Sequence, residues 1–189
     1  MSPIPAFEIG VWDAWILIIP FLLVTYGLSY SIVNKKAALF AWPPYSNREK
    51  TVLRILMATH FVSWVYCIFL PLKSGTAWLY TGLFIYLVGM IFITLATLNF
   101  ATTSLDKPNT KGVYRISRHP MYFGWLLVLI GIGIACASWV FLLFAIAFAV
   151  LQMYIFTIPE ERFCLEKYGD IYREYMNRTP RWIGIPKSS

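Results

Sequence analysis

The sequence predicts an all-α polytopic membrane protein with five transmembrane helices, the last two forming a helical hairpin, followed by a C-terminal cytosolic amphipathic helix. Three observations carry that prediction. Hydrophobic residues make up 59% of the 189 residues and charged residues only 13%, about half the charged share of an ordinary soluble domain. Five apolar segments come near the roughly 20 residues needed to cross a bilayer. The basic residues gather in alternate loops, as orientation by cytoplasmic lysine and arginine requires. The net charge of +7 is therefore read as topology. No basic segment is long enough to form a separate nucleic-acid-binding domain, so no nucleic-acid partner is expected.

The first span is expected over residues 11–33, with Pro20 as a kink inside it. The MSPIPAFEIGVWD stretch before it has no lysine or arginine and no small-residue cleavage pattern, so no removed signal peptide is expected. The loop KKAALFAWPPYSNREK should be irregular around Pro43 and Pro44. The second span is expected over 52–71 and the third over 77–100. The fourth covers 121–136 and the fifth 139–158, with only Ala137 and Ser138 between them, which makes these two an antiparallel hairpin. At about 16 residues the fourth is short for a full crossing, so its polar start should sit inside the membrane surface. Lys35, Lys36, Arg48, Lys50 and Arg54 attend the first loop, Lys107, Lys111, Arg115 and Arg118 the third, and six more cations follow the last span. Lys73 stands alone on the other side. An odd number of spans, N-terminus outside and C-terminus cytosolic, unites the basic groups.

After Ile158 the pattern becomes PEERFCLEKYGDIYREYMNRTPRWIG. Pro159 suits the first turn of a new helix, and Thr157 with Glu160 fits a capping box. Leu165, Tyr168, Tyr172 and Tyr175 then recur at helical spacing, so an amphipathic interfacial helix is expected, with a break possible at Gly169. The three cysteines, Cys67, Cys136 and Cys164, match no metal-ligand spacing, and neither a disulfide framework nor a metal site is expected.

The stretch RISRHPMYFG, residues 115–124, is where chemistry is expected. Pro120 belongs at the first position of the fourth helix, where its missing N–H costs nothing. The amides of Met121, Tyr122 and Phe123 would then point without helical partners toward a basic loop, an arrangement suited to a carboxylate or phosphate. The short hairpin should bring Arg118 and His119 beside Glu160 and Glu161. Ionisable groups gathered at membrane depth are costly and usually functional. The alternative is purely structural: arginines touching lipid headgroups, and Arg118 paired with Glu160 or Glu161 to fix the hairpin.

A family resemblance rests on these residues. GVYRISRHPMYFG fits Gly-x-Tyr-x-x-x-Arg-His-Pro-x-Tyr-x-Gly through Gly112, Tyr114, Arg118, His119, Pro120, Tyr122 and Gly124, and EERFCLEKYGDIYREYMNRTPRW fits the acidic and tyrosine-rich ending that accompanies it. Together, over about residues 110–183, they resemble the isoprenylcysteine carboxyl methyltransferase and phospholipid methyltransferase superfamily of integral membrane enzymes. The resemblance implies S-adenosylmethionine as cofactor, S-adenosylhomocysteine as product, and a lipid-like or small hydrophobic acceptor reached through the bilayer. It implies a pocket lined by Tyr114, Arg118, His119, Pro120, Met121 and Tyr122, with Glu160 or Glu161 on the cofactor's ammonium or ribose. It also implies one membrane domain over 1–189, in which 1–105 shape the acceptor tunnel and 106–189 hold the cofactor.

For a carboxylate acceptor, Arg173 or Arg181 is expected to position it; for an amine or thiol, Glu160, Glu161 or His119 is the candidate base. A membrane reductase of the sterol type using NADPH is the first rival. Its pattern has an Asn where Met121 stands and an Asp soon after the glycine, where this chain has Trp125. A non-catalytic scaffold is the second. Outside the motif, His60 is expected to serve helix packing or a cavity, GIGIA at 131–135 to make packing contacts, and most tryptophans, Trp125 among them, to lie in an interfacial belt. Asn99 and Asn109 are expected either to cap helices or to touch the cofactor.

Overall fold

The computed structural model describes residues 10, 12–28, 45–104 and 106–186. The expectations for Lys35, Lys36, Trp42, Pro43, Pro44 and Lys187 lie outside these residues. Among them the chain is helical: α1 Trp15–Leu22 running into a π-helical turn Leu23–Leu28, α2 Asn47–Cys67, α3 Ala77–Thr102, a 3-10 turn Gly112–Arg115, α4 Pro120–Ala135, α5 Trp139–Tyr168 and α6 Asp170–Arg178. α3 and α5 are long and apolar enough to cross a membrane, while α1 and α4 are shorter apolar helices. Phe84, Leu87, Ile91, Leu143 and Val150 stand exposed on the outer faces of α3 and α5. A membrane protein presents such side chains to lipid; in water they would be a liability.

Local chemistry explains the starts. α2 opens on a capping box in which Ser46 and Glu49 satisfy each other's amides, at 2.7 and 3.3 Å. Ser138 accepts from the Phe141 amide at 3.3 Å and starts α5 after the two-residue connection. α4 begins at Pro120, as expected.

The principal seam joins α3 to α4, and glycine makes it possible. A Cβ at Gly82 would lie 2.3 Å from the Ala135 amide nitrogen, one at Gly131 2.6 Å from that of Tyr86, and one at Gly89 2.7 Å from the Gly124 carbonyl. Helices that close gain contact along the whole backbone, which is how association proceeds where lipid removes the hydrophobic drive. The glycines of GIGIA are thus packing residues: Gly131 faces α3, and Gly133 faces Leu142 of α5.

Helix termini sort into two ends. At one, Asp13 bridges to Pro71, Ala14 donates to Leu70 at 2.8 Å, Leu72 to Trp12 at 2.9 Å and Lys73 to Ala135 at 3.0 Å. At the other, Arg162 of α5 pairs with Glu49 of α2 at 3.4 Å, and Gly112 (φ 56) lies against the side chain of Asn99 at the end of α3.

Two expectations are corrected. Pro159 does not start a helix, because α5 runs unbroken from Trp139 to Tyr168 with the proline inside it. Thr157 accordingly makes no capping box: its hydroxyl donates to the Met153 carbonyl one turn back, a bond open to a threonine within a helix. The break falls at Gly169, whose φ of 56° lies in the left-handed region that glycine adopts freely. α6 therefore starts there as a separate helix, burying Tyr172 and Tyr175. Trp125, half-buried, packs edge-on against Phe21 of α1 at 5.1 Å.

Candidate functional site

The start of α4, the last turns of α5 and the segment after α6 converge on one carboxylate. Glu161 is buried, and three cations reach it. Arg118 Nη2 stands 3.2 Å from Oε1, His119 Nε2 3.1 Å from the same oxygen, and Arg181 donates from Nε to Oε1 at 3.2 Å and from Nη2 to Oε2 at 2.6 Å. The Arg181 contact is the two-pronged fork that suits guanidinium and carboxylate. Neighbouring Glu160 accepts from the Tyr122 hydroxyl and lies 3.5 Å from His119 Nδ1. Glu160 keeps 35% of its side chain exposed against 5% for Glu161, so one acid is structural in depth and the other faces solvent.

His119 is held on every side. Its amide donates to Ser117 Oγ at 3.1 Å, its ring stacks on Tyr122 at 5.8 Å, and Trp182 lies 6.2 Å away. Because both ring nitrogens face carboxylates, which only accept, both must carry protons. Burial alone would lower the imidazole's pKa, and the hydrogen bonds and charges of Glu160 and Glu161 outweigh it, raising the value above 6.5. Burial alone would raise the Glu161 carboxyl. The hydrogen bonds of His119 and Arg181 and the charge of Arg118 reverse that and hold it down to about 2.

The segment after α6 covers the cluster. Arg118 donates its amide to Pro180 at 3.0 Å, Gly184 donates to Ile116 at 3.0 Å, and Ser117 Oγ donates to the Arg181 carbonyl at 3.3 Å. Tyr175 anchors α6 beneath by donating to the Tyr114 carbonyl at 2.6 Å. An open cavity of about 270 Å³ lies beside the cover, lined by Arg118, Asn177, Thr179 and Arg181 among others. Arg118 Nε is buried with no partner among the described residues.

Of the residues expected from the sequence, Arg118, His119, Tyr122, Glu160 and Glu161 come together, with Pro120 buried at the helix start. Tyr114 contributes its carbonyl to Tyr175, while burial, then the Glu160 charge, raises its hydroxyl's pKa. Met121 is half-buried in the first turn of α4. The amide of Phe123 is taken by the His119 carbonyl at 3.3 Å, so it is not free for a ligand as expected. The structure does not bring Arg173 to the cluster; it pairs with Asp170 at 3.1 Å on an exposed face of α6, 70% exposed itself. Arg181, the other arginine expected from the sequence, does reach it, and Ser117 and Trp182, which were not expected there, join the cluster. For Arg181 and Trp182 the TPRW stretch carried the local signal, an arginine after a proline that cannot extend α6.

Two comparisons with known proteins bear on this geometry. The family model described as phospholipid methyltransferase matches residues 74–171, more than half of the chain, from the start of α3 into α6. Over 80 residues the chain is 39% identical to protein-S-isoprenylcysteine O-methyltransferase B of Arabidopsis thaliana. That match covers 41% of this chain and 38% of the relative, so the chain spans well under two thirds of that protein.

Proposed function

Because this chain belongs to the phospholipid methyltransferase family, we propose that it transfers the methyl group of S-adenosylmethionine to a lipid-like or small hydrophobic acceptor at the cytosolic face of a membrane. The observation that carries this reading is the convergence of Arg118, His119 and Arg181 on buried Glu161 at the start of α4, a costly arrangement placed at the helix end rather than along the lipid face.

The residues present suit that cofactor. Three cations and two carboxylates leave the cluster one positive charge in excess. Arg118 Nε is buried and unpartnered among the described residues, and α4 starts without a capping side chain, so a carboxylate is accommodated there. Solvent-facing Glu160 suits an ammonium or a ribose hydroxyl. When bound, the cofactor supplies an electrophilic methyl on a sulfonium. The protein's part is to hold both reactants in line, to fix the charges in advance and to keep water out, and the cover formed by residues 179–184 serves the last task.

The electrostatics favour an acceptor that arrives already ionised. Both ring nitrogens of His119 already face carboxylates and Glu161 is bound to three cations, so neither is placed to take a proton from the acceptor. Glu160 is the remaining base for an amine or a thiol. A carboxylate acceptor needs none, which agrees with the O-methyltransferase named among the relatives. Arg181 is better placed than Arg173 to orient it.

The sorting of helix termini supports five crossings, N-terminus outside, with α6 on the cytosolic surface. The end carrying Glu49, Arg118 and Arg162 then faces the cytosol, and Lys73 lies across the membrane.

Calorimetric titration of the detergent-solubilised protein with S-adenosylhomocysteine, and with NADPH in parallel, tests the proposal. Binding of the first alone is expected. Binding of NADPH alone would make the protein a reductase, and binding of neither would leave the cluster a structural clasp.

A further inference from the structure

Among the described residues, the interior holds a histidine that this chemistry does not use. His60 lies on α2, ahead of the family-matched residues 74–171, and only 9% of it is exposed. Its ring runs near-parallel to Trp125 of α4 at 5.3 Å and Phe148 of α5 at 4.5 Å, and Trp64 meets it perpendicularly at 5.1 Å. None of these neighbours offers an oxygen. Both ring nitrogens are buried without a hydrogen-bond partner among the described residues. A neutral imidazole has one N–H and one lone pair; the N–H can rest on the face of Trp64, and the lone pair or its tautomeric equivalent is still unmet. Phenylalanine would fill this aromatic nest without that cost.

The nest is continuous with the charged mouth. Tyr122 stacks on His119 at 5.8 Å and on Phe156 at 5.7 Å. Trp125 lies one turn beyond Tyr122 on α4, and Phe148 about two turns before Phe156 on α5. Counted along the helix axes, His60 sits between about 8 Å (Pro120 to Trp125) and about 18 Å (Phe148 to Glu160) below the mouth. Trp64 and Trp125 are only partly buried, so the nest is not sealed.

We propose that His60 selects the acceptor. It hydrogen-bonds an oxygen carried on the acceptor's hydrocarbon chain, well away from the methylated group, and so favours an oxygenated chain over a plain one. This rests on the methyltransferase reading and deepens it. A site with a waiting polar group discriminates against a ligand lacking the complement, because that ligand leaves the group unpaired.

The chain contains two histidines, His60 and His119, so NMR of the full-length protein in lipid nanodiscs, isotope-labelled at histidine, reports each separately. The probes are N-acetyl-S-farnesylcysteine and the same molecule with a carbonyl oxygen in mid-chain. The oxygenated probe is expected to shift the His60 ring nitrogens and to bind roughly tenfold tighter or more. His60→Phe should abolish that preference, and His60→Gln, which keeps a donor and an acceptor, should retain part of it. Equal His60 signals with both probes, a preference that survives His60→Phe, or ring nitrogens already hydrogen-bonded without a probe would overturn the proposal. S-adenosylhomocysteine should move His119 in the same spectra, so a failure of the cofactor reading shows at one histidine and a failure of acceptor selection at the other.

Discussion

At the end of the bundle that holds residues 12–14, 70–73 and 135–138, backbone meets backbone: amides of Ala14, Leu72 and Lys73 donate to carbonyls of neighbouring segments. At the opposite end the backbone bonds of Arg118 to Pro180 and Gly184 to Ile116 are joined by a side-chain cluster, with Glu161 alone holding Arg118, His119 and Arg181. Backbone bonds tolerate almost any side chain, whereas a buried carboxylate with three cations depends on each of them. The difference teaches where this chain is open to change and where it is not, and it makes the two ends respond oppositely to mutation and to pH.

The largest effect is expected from Glu161→Gln. It strands the buried Arg118 guanidinium, and breaking a buried pair in this way costs about 3–5 kcal/mol. A large fall in thermal midpoint in detergent, together with loss of S-adenosylhomocysteine binding, would bear this out; a midpoint close to the parent's would mean the cluster is not holding that end. His119→Ala should weaken S-adenosylhomocysteine by roughly tenfold, the worth of about one charged hydrogen bond, while the bundle stays folded. Calorimetry reads it, and unchanged affinity would remove His119 from the pocket.

The pH response follows from the same groups. The folded pKa of His119 is raised above 6.5, so its contribution is complete below that value and is lost as pH rises through the folded pKa. That of Glu161 is lowered to about 2, so its contribution is complete above 4.5 and is lost as pH falls toward 2. A plateau of stability between these limits is expected. In His119→Ala the alkaline decline should weaken while the acid one persists, which unfolding followed across pH would show.

How much of this was legible in the sequence depended on the range of the forces involved. Helices α3, α4 and α5 were readable because long apolar runs announce themselves locally, and the pairing of Arg118 and His119 with Glu160 and Glu161 followed from a two-residue hairpin that leaves little freedom. Pro159 misled: its ring forbids one bond, but a membrane helix keeps its course where neighbouring groups satisfy what is freed. Arg181 reaches Glu161 across a reversal after α6 that no periodicity encodes, and Arg173, on the right stretch, faces away because α6 buries Tyr172 and Tyr175 instead. His60 was visible as an isolated polar residue. Its aromatic nest was not, because Trp64, Trp125 and Phe148 come from three helices.

The opposite end offers the smaller tests. Ala137 sits at φ 49° in the hairpin connection, so Ala137→Gly should raise stability by about 1 kcal/mol, seen as a higher thermal midpoint. Lys73→Ala should leave S-adenosylhomocysteine affinity unchanged, since the residue bonds there through its backbone, the amide donating to Ala135 and the carbonyl accepting from Thr76.

Photo-crosslinking with methyl-labelled S-adenosylmethionine, followed by peptide mapping, tests the central claim most directly. The account predicts label within residues 114–122 or 160–182, abolished by excess S-adenosylhomocysteine and absent in Glu161→Gln. Competable label confined to α1 or α2, or equal labelling of Glu161→Gln, would contradict it.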